Sequence, residues 1–270
     1  MRILFCGDVV GKSGRKAVLE EVPRLRKSWN LDFVIVNGEN AAHGFGITEK
    51  ICKSFYHAGV DVITTGNHVW DRKETLAYIK EDSRLLRPLN YPEGSPGKGA
   101  GLFAAPGGRK VMVVHPMGRL FMELVDDPFK AVEKEIANHK LGVTAHCIIV
   151  DIHAEATSEK MAMGHYLDGR VSMVVGSHSH VPTADAQVLP GGTAYQTDLG
   201  MCGDYDSVIG MNKGVAVDRF VRKTPGTRLE PAEGEATLCG VLLETDDGTG
   251  LATTIKPVRL GGRLMEGNPS

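Results

Sequence analysis

Paired cysteines are missing from this sequence. Its five, Cys6, Cys52, Cys147, Cys202 and Cys239, are odd in number and include no C-x-x-C spacing. That argues against a disulfide framework and against a thiolate metal site. Reduced, mostly buried thiols in a cytoplasmic chain are expected instead. An excess of one charge is also missing: the net charge is −2 and the pI is near 6.6. Such a chain has no electrostatic footprint for duplex nucleic acid or an anionic membrane, so any anion must be held by a local site. No apolar run approaches the length of a membrane span. The first residues, Arg2-Ile3-Leu4-Phe5, run straight into Gly7-Asp8 without the apolar region and cleavage site of a signal peptide. Internal repeats and low-complexity tracts are absent as well.

What is present is an ordinary globular composition, 42% hydrophobic over 270 residues, enough for a sizeable core. Short β-branched runs alternate with helical patterns. Strands are expected at Arg2 to Phe5, Phe33 to Val36, Val60 to Thr65, Lys110 to Val114, Cys147 to Val150 and Met173 to Val175. Helices are expected at Ser13 to Trp29, Thr48 to Ala58, Arg72 to Lys80 and Pro128 to Asn138. Pro23 conflicts with the first helix and predicts a kink or a division. Pro88 to Gly108 reads as loop with a short strand at Gly101 to Ala105. Thr193 to Gln196, Ala236 to Glu244 and Ala252 to Leu260 read as antiparallel strands. Gly214 to Gly234 reads as a long loop or an interaction segment. The whole, residues 1–270, is expected to be one α/β domain with two sheets and outer helices.

Five apolar runs end in polar clusters. Ile3-Leu4-Phe5 leads to Asp8, Val34-Ile35-Val36 to Glu39-Asn40, Val62-Ile63 to Asn67-His68, Ile148-Ile149-Val150 to His153, and Val174-Val175 to His178 and His180. Open α/β sheets bind ligands beyond the carboxyl ends of their strands, so the five clusters converge on one edge. The set holds carboxylates, amides and imidazoles and no thiolate. That suits two divalent ions, Fe or Mn foremost and Zn as a third option. Two such ions about 3.5–4 Å apart would leave a net cationic centre, which favours a phosphate ester and makes a nucleophile of bound water. Each cluster also has a plain reading: a lone His153 as a core residue, Asn67-His68 as a turn, Glu39-Asn40 as a polar loop. The H-x-H pair gains weight because strand alternation would put both rings on one face. Gly7 to Ser13 offers a competing reading, a P-loop with Lys12 as its phosphate ligand, but the loop is one residue short of G-x-x-x-x-G-K-[ST].

The stretches "GDVV", "NGENAA", "GNHVW", "DIHAE" and "GSHSH" resemble the motifs of the calcineurin-like metallophosphoesterases, D-x-H, GD-x-x-D, GNH-[DE], a lone His and GH-x-H. Val10, Glu39 with Asn40, and Val69 depart from that pattern. With "HAEATSEK", "LDGRVSMVVGSHSHVPTADAQVLPGGTAY" and "DSVIG", they make the chain similar to the YmdB-type bacterial phosphodiesterases over nearly its whole length. The resemblance implies a four-layer α-β-β-α sandwich of two central mixed sheets. It implies hydrolysis of 2′,3′-cyclic nucleotides by a hydroxide between two metals. One metal would take Asp8, Glu39, Asn40 and His180, the other Glu39, Asn67, His153 and His178, with Glu39 bridging. His68 would protonate the leaving oxygen. Val69, in place of an acid, leaves open what orients His68, with Asp71 or a backbone carbonyl as alternatives. His43, in "AAHGFG", and Arg119 are further candidates for substrate contact. His57 and His139 are expected at the surface, and Met117, Met122, Met161 and Met163 in the core. A phosphomonoesterase or protein phosphatase on the same centre, and a slow nucleotide- or RNA-binding regulator, remain competing functions. A homo-oligomer through Phe121 to Val125 and the Gly214 to Gly234 region is a further expectation.

Overall fold

A computed structural model describes residues 1–223 and 228–267. In chain order its elements are β1 (Arg2–Cys6), β2 (Asp8–Val9), α1 (Gly11–Ser28), β3 (Phe33–Asn37), α2 (Glu49–His57), β4 (Val62–Thr64), α3 (Thr75–Tyr78) and β5 (Leu85–Leu86). Then follow β6 (Ala100–Ala104), β7 (Lys110–Val114), α4 (Pro128–Ile136), β8 (Cys147–His153), α5 (Thr157–Tyr166), β9 (Met173–Ser177) and β10 (Gln187–Val188). The last are β11 (Ala194–Gln196), β12 (Met201–Asp204), α6 (Lys213–Arg222), β13 (Ala236–Thr245) and β14 (Ala252–Leu260).

Two mixed sheets result. One runs β2-β12-β13-β1-β3-β4-β5, with β14 added on β13; the other runs β10-β11-β9-β8-β7-β6. Alternation along the strands sets the layers. Ile3 and Phe5 of β1 share an apolar core with Cys147 and Ile149 of β8, so this core lies between the sheets. Leu4 and Cys6 turn the other way, onto Val18, Val22 and Leu25 of α1. Ile148 and Val150 likewise turn onto Val132 of α4 and Met163 of α5. The order of layers is therefore α-β-β-α, as the resemblance implied. β1, β3, β4 and β5 run parallel in the first sheet, and β7, β8 and β9 in the second. Their carboxyl ends carry all five polar clusters.

Several expectations need correction. Pro23 does not divide α1 into two elements; the helix is continuous from Gly11 to Ser28. The bond it forfeits, to the carbonyl of Leu19, lies on a turn where Leu19 is itself exposed to solvent. β11 is antiparallel to β10 but parallel to β9, so it is part of the second sheet's parallel run. Gly214 to Gly234 is not all loop: α6 occupies its first part, capped by Asn212, whose Oδ1 accepts from Gly214 N at 3.0 Å. Residues 224–227 of that stretch lie outside the described residues. Met117 and Met163 are buried, but Met161 is exposed on α5. All five cysteines are free and buried. Burial pushes the Cys147 and Cys239 thiols up to about 12, which suits inert core residues.

Candidate metal centre

Asp8 begins β2, just past the end of β1, and is fully buried. Its Oδ2 accepts from the backbone N of His178 at 3.2 Å, while its Oδ1 has no hydrogen-bond partner. Glu39 follows β3 by two residues and is 1% exposed. Its Oε1 lies 3.2 Å from His153 Nε2, and its Oε2 accepts from the backbone N of His68 at 3.2 Å. Two groups of potential ligand atoms, each within 4.8 Å, meet here: Glu39 with His153 and His178, and Asp8 with Glu39 and His180. Glu39 belongs to both. Asn67 joins the first group, with Oδ1 3.1 Å from His153 Nε2. Asn40 joins the second, with Nδ2 3.1 Å from His180 Nε2. Oxygen ligation by Asn40 therefore requires its amide to turn over, an exchange of two nearly isosteric ends. The structure thus brings together the seven residues that the resemblance implied as ligands.

The second layer of contacts fixes the rings. His153 Nδ1 lies 2.8 Å from Ser177 Oγ, which donates to Asp151 Oδ1 at 2.7 Å. The other Asp151 oxygen accepts from Thr64 Oγ1 at 2.7 Å and lies 3.1 Å from His115 Nδ1. His153 thus presents Nε2 to the site. His180 Nδ1 lies 2.8 Å from the Ile209 carbonyl, which also leaves Nε2 for the site. His178 is reversed: Nε2 lies 3.2 Å from Glu155, and Nδ1 faces His153 Nε2 at 3.2 Å. Outer partners of this kind set tautomer and orientation in metal-binding imidazoles.

The H-x-H rings do not owe their placement to strand alternation. β9 ends at Ser177, and His178 and His180 follow in a bend with φ of 99° and 65°. Such backbone is strained for non-glycine residues and is held here from outside. Asp198 does the holding: its Oδ2 accepts from Ser179 N at 3.1 Å and from Lys160 Nζ at 2.7 Å. Lys160 and Asp198 are both buried.

The residues present fit cations. Burial, and then the charges of Glu39, Asp198 and Asp151, push the Asp8 carboxyl well above the usual range, so its charged form is disfavoured here without a cation. A buried carboxylate oxygen without a partner is costly, and a bound cation removes the cost. Burial alone would raise Glu39, but His153, and then His68 and His178, hold it below the usual carboxylate range. Burial, and then His153, push His178 down to about 3, and burial also lowers His180. Neutral imidazole is the ligand form. Gly66 shows how tightly the centre is built: a Cβ there would sit 2.2 Å from Glu39 Oε2 and 2.3 Å from His153 Nε2.

His68 stands at the edge of the centre, with Nδ1 2.9 Å from Asp71 Oδ2 and its ring edge-on to Phe45 at 5.1 Å. Asp71, not a carbonyl, is the group that orients it. Val69 is buried in the core and has no part in this. His43 and Arg119 are not brought into the two groups. His43 is exposed, with φ of 57°, beside a cavity that also includes Arg72 and Arg228. Arg119 is exposed, and its backbone N is bonded to Glu159. The P-loop reading fails on its surroundings. Gly11 N donates to the Asn40 carbonyl at 3.0 Å, and Lys12 lies in a cleft with Glu20, Glu21, Glu233 and Glu235. Four carboxylates repel a phosphate.

Sequence reasoning assigned no role to Asp151, Ser177, Asp198, Lys160 or Glu155. The signal at Asp151 was a charged residue inside the otherwise apolar "CIIVDIH", two places before His153 and so on its face. Asp198 and Lys160 gave no such signal, because they meet only through the packing of α5 under β9.

The sequence profile described as YmdB-like protein matches residues 4–258. A 2′,3′-cyclic-nucleotide 2′-phosphodiesterase of Bacillus subtilis is 48% identical over 265 residues, 98% of this chain and 99% of the relative. Among solved structures, a hypothetical protein from Thermus thermophilus is 43% identical with a TM-score of 0.90, covering 97% of this chain and all of that one. A structure described as a novel phosphatase of Mycoplasma pneumoniae is 34% identical with a TM-score of 0.89, covering 100% of this chain and 95% of that one. With its profile, its fold and relatives at this identity over full length, the chain belongs to the YmdB-like protein family.

Proposed function

We propose that this chain, as one domain, is a metal-dependent phosphodiesterase that hydrolyses 2′,3′-cyclic nucleotides in the cytoplasm. The observation that carries the reading is the sharing of buried Glu39 by two ligand groups at one sheet edge. Asp8, Glu39, Asn40 and His180 would hold one divalent ion, and Glu39, Asn67, His153 and His178 the other, with Fe or Mn preferred over Zn. When bound, the ions supply Lewis acidity toward the phosphate oxygens and acidify the attacking water. The chain's own part lies in orientation and proton transfer. Asp71 takes the His68 Nδ1 proton in a hydrogen bond and leaves Nε2 toward the substrate. Water adds to phosphorus and releases one proton to solvent, the bond from phosphorus to one ribose oxygen breaks, and that oxygen receives the Nε2 proton of His68 in its imidazolium form, which solvent then restores. The product is a phosphomonoester. A small phosphodiester is the proposed partner; no helix of the described residues is long and apolar enough to cross a membrane. The exposed side chains of Phe121, Leu124, Phe220 and Val221 support self-association, which sedimentation would report.

A panel of 2′,3′-cyclic AMP, 3′,5′-cyclic AMP and an aryl phosphomonoester tests the reading. It is run on metal-stripped protein refilled with Mn²⁺ or Fe²⁺. The 2′,3′-cyclic diester is expected to be cleaved fastest, and only after refilling. Preference for the monoester would favour a phosphatase on the same centre, the activity in the description of the Mycoplasma relative.

A further inference from the structure

Beside His68 lies a cavity of about 420 Å³ whose lining includes Phe45, Asp71, Arg72, Arg219 and Arg228. Three guanidiniums from separate segments converge here: Arg72 beyond β4, Arg219 on α6, and Arg228 before β13. In a chain of net charge −2, that is a local concentration and not a general basicity. Arg72 is fixed by neutral acceptors, its Nε donating to the Phe45 carbonyl at 2.9 Å and a terminal nitrogen to the Ala42 carbonyl. Its charge is thus oriented without being cancelled by those partners. Among the described residues of the lining the one carboxylate is Asp71, which is turned onto His68 at 2.9 Å. The cavity also adjoins the reacting end directly, because Phe45 and Asp71 both line it and both touch the His68 ring.

Guanidiniums match phosphate oxygens in forked geometry, and an aromatic face next to them accepts a nucleobase. The path does not stop at the first cavity. A second, of about 690 Å³, shares Arg72 and Arg228 and adds His43 with two carboxylates, Glu230 and Glu233, so the excess of positive charge lies in the first cavity and the second offers room for a nucleoside. We propose that this basic cleft takes a second phosphate of the substrate, on the 5′ side of the nucleotide whose cyclic phosphate is cleaved. The inference rests on the phosphodiesterase reading above for the position of the scissile phosphate. The continuation of the first cavity into the second, through Arg72 and Arg228, points to the 3′ end of a short oligoribonucleotide, where that phosphate is a diester linkage. A 5′-phosphate on a single nucleotide has the same chemistry and is the other source to separate.

Binding is measured first, by calorimetry on the protein with its metals. The probes are adenosine 3′-phosphate, adenosine 3′,5′-bisphosphate and the dinucleotide ApA 3′-phosphate. A second phosphate is expected to tighten binding by about 10-fold, the equivalent of ~1.4 kcal/mol. Arg228→Ala should shrink that ratio to below about 3-fold, and Arg228→Lys should restore part of it, because charge survives while the fork is lost. Arg72 is not used for the test, since it also ties down the Ala42 to Phe45 loop. Turnover then assigns the source. A higher kcat/KM for the 2′,3′-cyclic dinucleotide than for 2′,3′-cyclic AMP identifies an oligonucleotide end; a gain only from a 5′-monophosphate identifies a single nucleotide. Equal binding of the mono- and bisphosphate, or a ratio unmoved by Arg228→Ala, overturns the proposal. An Arg228-dependent binding ratio without cleavage of any cyclic diester would leave the cleft standing and overturn the phosphodiesterase reading instead.

Discussion

Asp71 lies three residues after His68, and its carboxylate holds the Nδ1 side of that imidazole. Removing the charge while keeping the shape separates orientation from metal binding. Asp71→Asn is expected to lower kcat by about 10- to 100-fold, within the range of outer-sphere and acid-base contributions. Metal content should stay unchanged, because Asp71 is in neither ligand group. A parallel loss of metal would place Asp71 in the centre itself. At this scale much of the site was legible. The residues at five strand ends were read from apolar runs followed by O and N ligands, and the structure brings all seven expected ligands together. Val69 and Asp71 were harder, because spacing alone does not say which of two neighbours turns back onto a ring. Here the apolar one went to the core and the acid took the contact.

At the scale of elements, the turn after β9 depends on a buried ion pair that no strand pattern reveals. Lys160→Met would leave the Asp198 carboxylate buried and unpaired, at an expected cost of ~3–5 kcal/mol. Lys160→Met combined with Asp198→Asn should recover part of that loss; urea denaturation of the three proteins gives both numbers. The loop after β4 makes a sharper claim about the centre. Gly66→Ala drives a methyl into Glu39 and His153, so metal retention should fall while the denaturation midpoint moves less than in Lys160→Met. The loop before β10 provides a pH test. Burial alone would raise Asp185, but hydrogen bonds from Thr183 and Thr197 hold it below its ordinary value of 3.8. Its contribution to stability is therefore complete above pH 3.8 and is lost as the pH falls through the lower folded value. Asp185→Asn should flatten the loss of stability below pH 4. The elements themselves were legible where apolar period and caps agreed, as in α2, whose Thr48 cap accepts from Ile51 N. α5 was not legible, because it buries Glu159 and Lys160 beside Met163 and so shows no apolar stripe. β12, with Gly203 and Asp204 among its four residues, has no β-branched run to announce it.

At the scale of the molecule, two sheets with parallel cores bring their carboxyl ends to one edge, and each supplies part of the set. Asp8, Glu39, Asn40 and Asn67 come from the first sheet's strand ends, and His153, His178 and His180 from the second. The fold class could be read from alternation, but the division of ligands between sheets could not, because β-branched runs do not say which sheet they join. In the proposed centre Glu39 would be shared by two ions, one in each group. Elemental analysis of metal per chain tests it most directly, in the wild type and in Glu39→Gln, His178→Ala and Asp8→Asn. We expect about two ions in the wild type, about one in each of the last two variants, and less than one in Glu39→Gln. A wild type holding a single ion, or a Glu39→Gln variant that keeps both, would contradict it.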